Sequence, residues 1–99
     1  MARKEIIWSQ RAKQELIQIL DYYNTRNESV AYSIKLIDEI ENLLNTLSQS
    51  EFIGRLTANK KTRVVVMKEY LIFYEINRER IEILSFWDNR QDNNKRIIK

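Results

Sequence analysis

The sequence contains no cysteine, no histidine and no proline, and a single glycine, Gly54. Without cysteine, neither a disulfide nor a thiolate metal site can form. Without histidine, the commonest general base near neutral pH and the commonest zinc ligand are both missing. No cofactor and no metal are expected. The lack of proline and near lack of glycine removes the usual turn punctuation, so hydrophobic periodicity has to parse the chain. No apolar run approaches the roughly 18 residues of a membrane span. The apolar part of "MARKEIIWSQ" is too short for a signal peptide. A soluble, cytoplasmic chain without a membrane partner is the expectation.

What is present is ordinary in bulk and uneven in place. Apolar residues make up 43% and charged residues 31% of 99 residues, which fits one soluble globular domain over 1–99. Residues 1–50 carry six Lys/Arg against seven Asp/Glu, and residues 51–99 carry eleven against seven, so the net charge of +3 comes from the second half. A basic half beside a near-neutral half suggests a surface that meets an anionic partner, or simply a solvated face.

"KEIIW" (4–8) reads as a short strand, and Ser9 is placed to cap the helix that follows. Ala12, Leu16, Ile19, Leu20 and Tyr23 recur at spacings of three and four, which predicts a first amphipathic helix. "NTRN" (24–27) reads as a tight connection with Asn27 as the next cap. Val30, Ile34, Ile37, Ile40, Leu44 and Leu47 then mark a second helix, with Lys35, Asp38, Glu39 and Glu41 outside the stripe. The two should form an antiparallel hairpin. After an irregular stretch from Gly54 to Thr62, "RVVVMK" (63–68), "YLIFYEIN" (70–77) and "RIEILSFW" (80–87) follow too closely for crossover helices. They predict an antiparallel meander, with "NRER" (77–80) as a turn. The order β-α-α-β-β-β gives an α+β, two-layer fold, a helical hairpin on one face of an antiparallel sheet with the other face partly open. Trp8, Phe73 and Phe86 are expected in the core and Tyr70 and Tyr74 on the sheet as packing residues. Phe86 and Trp87 are neighbours on an alternating strand, so one of them should face away from the helices.

This order, a hairpin of this length, "YLIFYEI" with Tyr70 and Tyr74, and the ending "ILSFWDNRQD" with Arg90 resemble the RelE/ParE superfamily. These are toxins of type II toxin–antitoxin systems, often called plasmid stabilisation proteins. The resemblance spans nearly the whole chain. It implies a cognate antitoxin as partner and one of two targets, DNA gyrase for the ParE-like branch or the ribosome and its mRNA for the RelE-type endoribonucleases. A shared fold does not choose between them, and a homodimer is left open.

RNA cleavage by 2′-OH attack needs a base, charge stabilisation on the phosphorane and an acid for the leaving oxygen. By resemblance, Arg90, Lys68 and Arg63 are the candidate catalytic residues, with Lys60 and Lys61 in a basic loop ahead of the sheet. No tyrosine follows Tyr74, and near position 96, where an acid or base would fall, the chain has Arg96. Asp88 or Glu69 could act as a base only with a raised pKa. Target binding is therefore placed ahead of RNA cleavage, with Arg90, Trp87, Lys60, Lys61 and Arg96 as candidate contacts. Each has a bland reading too. Arg90 could merely pair with Asp88 or Asp92 at the strand end, and Lys60, Lys61 and Arg63 could be a solvated charge run.

Overall fold

A computed structural model describes residues 4–90. The elements are β1 (Glu5–Trp8), α1 (Gln10–Asn27), α2 (Ala31–Gln49), β2 (Arg55–Leu56), β3 (Arg63–Met67), β4 (Tyr70–Ile76) and β5 (Arg80–Asp88). They form a two-layer α+β fold in which both helices cover one face of a five-stranded sheet of order β1-β5-β4-β3-β2. The meander β3-β4-β5 is antiparallel, as its short connections require. The sheet as a whole is mixed, because β1 lies parallel to β5 in the register Glu5↔Arg80 to Trp8↔Ile83. The helical hairpin is the crossover that makes this parallel pairing feasible.

Ser9 explains how β1 passes into α1. Its side chain accepts the Ala12 N–H at 3.1 Å while its hydroxyl donates to the Leu84 carbonyl at 3.0 Å. Its N–H reaches the Ile83 carbonyl at 2.9 Å. One residue therefore caps the helix and ties it to β5. The far end of α1 differs from the sequence expectation. "NTRN" is the last helical turn, and Glu28 ends it in the left-handed conformation, φ 51°. Asn27 is not the next cap. Val30 holds that position without a side-chain bond, and the hydroxyl of Ser29 just before it accepts the Ala31 N–H at 3.1 Å.

α2 is also rotated from its expected orientation. Ser33, Leu36, Ile40 and Leu47 are its buried residues, with Leu43 and Leu44 packed beside them. Val30, Ile34 and Ile37 are 56%, 63% and 39% exposed. The stripe drawn from isoleucine and valine mixed two faces, because α2 carries more apolar residues than one face holds. Ser33 sits on the buried side because its hydroxyl bonds Asn24 of α1, at 2.5 Å.

The stretch from Gly54 to Thr62 is more ordered than expected. It contains β2, paired with the start of β3, and a turn closed from Thr57 N–H to the Thr62 carbonyl at 2.8 Å. Asn59 organises that turn, its Oδ1 accepting the N–H groups of Lys61 and Thr62, both at 2.8 Å.

Between the layers lies the main core, built on Tyr70, Ile72, Tyr74, Ile81, Ile83 and Phe86 from the sheet and Ala12, Ile19, Leu36, Ile40 and Leu47 from the helices. Each fully buried aliphatic side chain such as Leu47 contributes about 1.5–3 kcal/mol. Trp8 is half-buried against it, near Phe86. A second cluster, Val64, Leu71, Phe73 and Trp87, sits on the opposite face. Phe73 is thus buried, but away from the helices. The two faces meet a break in alternation at Leu84. Phe73 pairs with Ser85 but the next residue, Tyr74, pairs with Ile83, so Leu84 is an extra residue in β5.

Candidate functional site

β1 stops at Trp8, where Ser9 turns the chain into α1, so β5 beyond Ile83 has no strand neighbour on that side among the described residues. α1 runs along this uncovered edge. Between them is a cleft of about 550 Å³, to which α1 contributes Glu15, Gln18, Tyr22, Tyr23 and Arg26 and the end of β5 contributes Phe86, Asp88 and Arg90. The spacing of the α1 residues is that of one helix face. Glu15 reaches across. One carboxylate oxygen accepts the Ser85 hydroxyl at 2.8 Å and the Phe86 N–H at 3.1 Å, while the other faces Arg11 at 3.5 Å.

Arg90 closes one end of the cleft. Asp88 Oδ1 accepts its backbone N–H and its Nε, both at 2.9 Å, and Asp88 Oδ2 accepts Nη2 at 2.7 Å. Nη2 also donates to the Tyr23 hydroxyl. Burial alone would push the Asp88 carboxyl up, but the Arg90 hydrogen bonds outweigh it and hold the group below its ordinary value of 3.8. The same bonds push the guanidinium up. The fork geometry of arginine makes this bidentate hold feasible, where a lysine would make one contact.

Behind Arg90 stand three tyrosines from three elements. The Tyr23 ring lies 4.5 Å from that of Tyr32, and the Tyr32 and Tyr70 hydroxyls are 2.8 Å apart. Burial pushes the Tyr70 phenol up, helped by the Tyr32 hydroxyl. The group stays protonated at any ordinary pH and serves as a hydrogen-bonding post rather than a base.

Of the other sequence candidates, Trp87 also borders the cleft and Lys68 stands at the same end of the sheet as Arg90, while Arg63, Lys60 and Lys61 lie elsewhere. Lys68 occupies the two-residue turn between β3 and β4 with φ 56°, and its ammonium bonds Glu39 of α2 at 2.8 Å, which raises its pKa. Arg63 begins β3, five residues away and thus about 16 Å along the strand. Its Nη1 donates to the Gly54 carbonyl at 2.7 Å and its guanidinium lies 4.9 Å from the Phe52 ring centroid. Arg63, Lys68 and Arg90 are not brought to one point, and each is held by a protein partner. Lys60 and Lys61 are exposed on the Asn59 turn. Trp87 faces away from the helices but is only 6% exposed, enclosed by the second cluster, so it is no exposed anchor. Arg96 lies outside the described residues. No group of acidic residues among the described ones is arranged to hold a metal ion, and no helix there is long and apolar enough to cross a membrane.

Sequence reasoning missed Glu15, Tyr23 and Tyr32 as parts of a site. Glu15 meets Phe86 across 71 positions, and no local pattern announces such a contact. The one signal was the Tyr22-Tyr23 pair on a helix that needs only one apolar residue there.

Comparison with solved structures finds a fold match to a chain of the "Chromosomal ParDE TA system from P. aeruginosa", with TM-score 0.72, 18% sequence identity, and coverage of 85% of this chain and 94% of that one. Comparison with curated proteins finds no match. The family model described as "ParE toxin of type II toxin-antitoxin system, parDE" matches residues 6–93, nearly the full length. The chain belongs to the ParE family of toxins from type II toxin–antitoxin systems.

Proposed function

We propose that this chain inhibits growth by binding a cellular target, DNA gyrase by family resemblance, and is neutralised by a cognate antitoxin. The observation that carries the choice of binding over RNA cleavage is the scatter of the cationic side chains. A phosphorane needs several donors converging on one atom. Arg63 is spent on Gly54 and Phe52, Lys68 on Glu39, and Arg90 on Asp88 and Tyr23. Lys60 and Lys61 remain exposed and suit contact with an acidic or nucleic-acid-bearing target.

For the antitoxin, the outward stripe Val30, Ile34 and Ile37 of α2 suits an amphipathic helix laid along it, since the spacing i, i+4, i+7 is that of one face. Expression of the toxin alone should trigger a DNA-damage response and leave bulk mRNA intact. Co-expression with the adjacent reading frame should restore growth and yield a co-purifying complex. Primer extension on induced cells tests the mechanism. Codon-phased cuts in translated messages would put the RelE-type reading first and sink this one.

A further inference from the structure

The α1–β5 cleft has features that neither the antitoxin stripe nor the cationic residues explain. β5 is nine residues long, yet β1 covers only its first four, Arg80 to Ile83. Trp87 and Asn89 direct their backbone groups toward β4, because Trp87 pairs with Leu71 and the Asn89 N–H bonds the Glu69 carbonyl at 2.7 Å. Strand alternation therefore turns the backbone groups of Phe86 and Asp88 the other way, into the cleft. The Phe86 N–H is met there by the Glu15 carboxylate, where a neighbouring strand would place a carbonyl oxygen. A side chain thus stands in for a missing strand on a sheet edge, which both satisfies the amide and discourages stray pairing.

The shape narrows the occupant. α1 flanks the edge, so a second sheet or a globular surface cannot approach it, whereas one extended segment in line with β1 can. Tyr22, 56% exposed, and Arg26 stand at the mouth on α1. They offer an aromatic contact and a cation to alternate side chains of such a segment.

We propose that this cleft receives an extended segment of the target protein, added to β5 as a strand along Phe86–Asp88, with the incoming carbonyl replacing the Glu15 carboxylate on the Phe86 N–H. The inference rests on the reading of the chain as a target-binding toxin. It assigns the target to a surface apart from the α2 stripe that suits the antitoxin, so the two partners recognise different faces.

The test uses Gln18→Trp, which fills the cleft from an exposed α1 position, and Tyr22→Ala, which removes the aromatic contact without adding bulk. Gln14→Trp, on α1 outside the cleft, is the control. Each variant is assayed for growth inhibition, for capture of the co-expressed antitoxin and for its thermal melt. The expected result is loss of growth inhibition in both cleft variants, a fall in target affinity on the order of tenfold or more, with antitoxin capture and melting kept. Full toxicity of a well-folded Gln18→Trp protein overturns the proposal. So does selective loss of antitoxin capture, which would give the cleft to the antitoxin instead. Amide exchange of Phe86 with purified gyrase provides a second reading. Slowing supports strand addition, and unchanged exchange in a gyrase-bound toxin overturns it. If gyrase does not bind at all, the choice of gyrase fails while the growth assay still decides the cleft.

Discussion

Two tyrosines four residues apart on β4 occupy opposite ends of the same sheet face, and both are completely buried. Tyr74 serves backbone. Its hydroxyl donates to the Glu51 carbonyl at 2.8 Å and accepts the Gly54 N–H at 2.9 Å, fixing the path from α2 into β2. Tyr70 serves other side chains. Its hydroxyl meets Tyr32, whose ring packs tilted against that of Tyr23, which takes a bond from Arg90 at the cleft. The same residue type on the same strand thus closes the fold at one end and supports a polar opening at the other. The partner decides the role. Backbone groups have no alternative once buried, while hydroxyls can turn to one another.

The contrast can be tested by substitution. The largest effect should come from Gly54→Ala. A Cβ there would lie 2.7 Å from the Tyr74 hydroxyl and 2.9 Å from the Val64 carbonyl, and the second of these is backbone that cannot step aside. A loss of about 3 kcal/mol is expected in urea unfolding. Tyr74→Phe comes next. It strands the Gly54 N–H in a buried site, at about 1–3 kcal/mol.

Tyr70→Phe should cost less, about 1 kcal/mol, and the double change Tyr32→Phe with Tyr70→Phe should recover part of that loss, since removing both partners leaves no polar group unpaired. If Tyr70→Phe proves as damaging as Tyr74→Phe, the distinction between the two ends disappears.

Acid sharpens it further. Asp88 has its folded pKa below 3.8, so its stabilisation is present above that value and is lost as pH falls through the folded pKa. The melting temperature should drop below about pH 4, and Asp88→Asn should flatten part of this fall. The smallest effect is expected for Lys68→Gly, whose thermal melt should be hardly distinguishable from that of the native protein. It loses an exposed ion pair with Glu39 but relieves a left-handed φ.

Much of this was legible beforehand. The helices and the meander follow from runs of three-and-four and β-branched spacing, and Ser9 was readable as a cap because its signal is local. The rotation of α2 was not readable, since Val30, Ile34 and Ile37 are as apolar as the residues that bury. Arg90 could be picked out as a residue at the end of β5. That it folds back to Tyr23, 67 positions earlier, could not. The cleft was invisible for the same reason, because it is made by where β1 stops relative to β5, a fact about two distant segments.

The extra residue at Leu84 divides β5 into two reading frames. Before it, odd-numbered side chains, Ile81 and Ile83, face the helices; after it, Phe86 does, and odd-numbered Trp87 faces away. Removing Leu84 would merge the frames into one regular alternation, with Phe86 still inward and Trp87 still outward, and would take from Ser9 the carbonyl its hydroxyl bonds. A residue inserted between Leu84 and Trp87 would instead turn the indole toward the main core, so insertions there should be purged far more strongly than apolar exchanges or the loss of Leu84 itself.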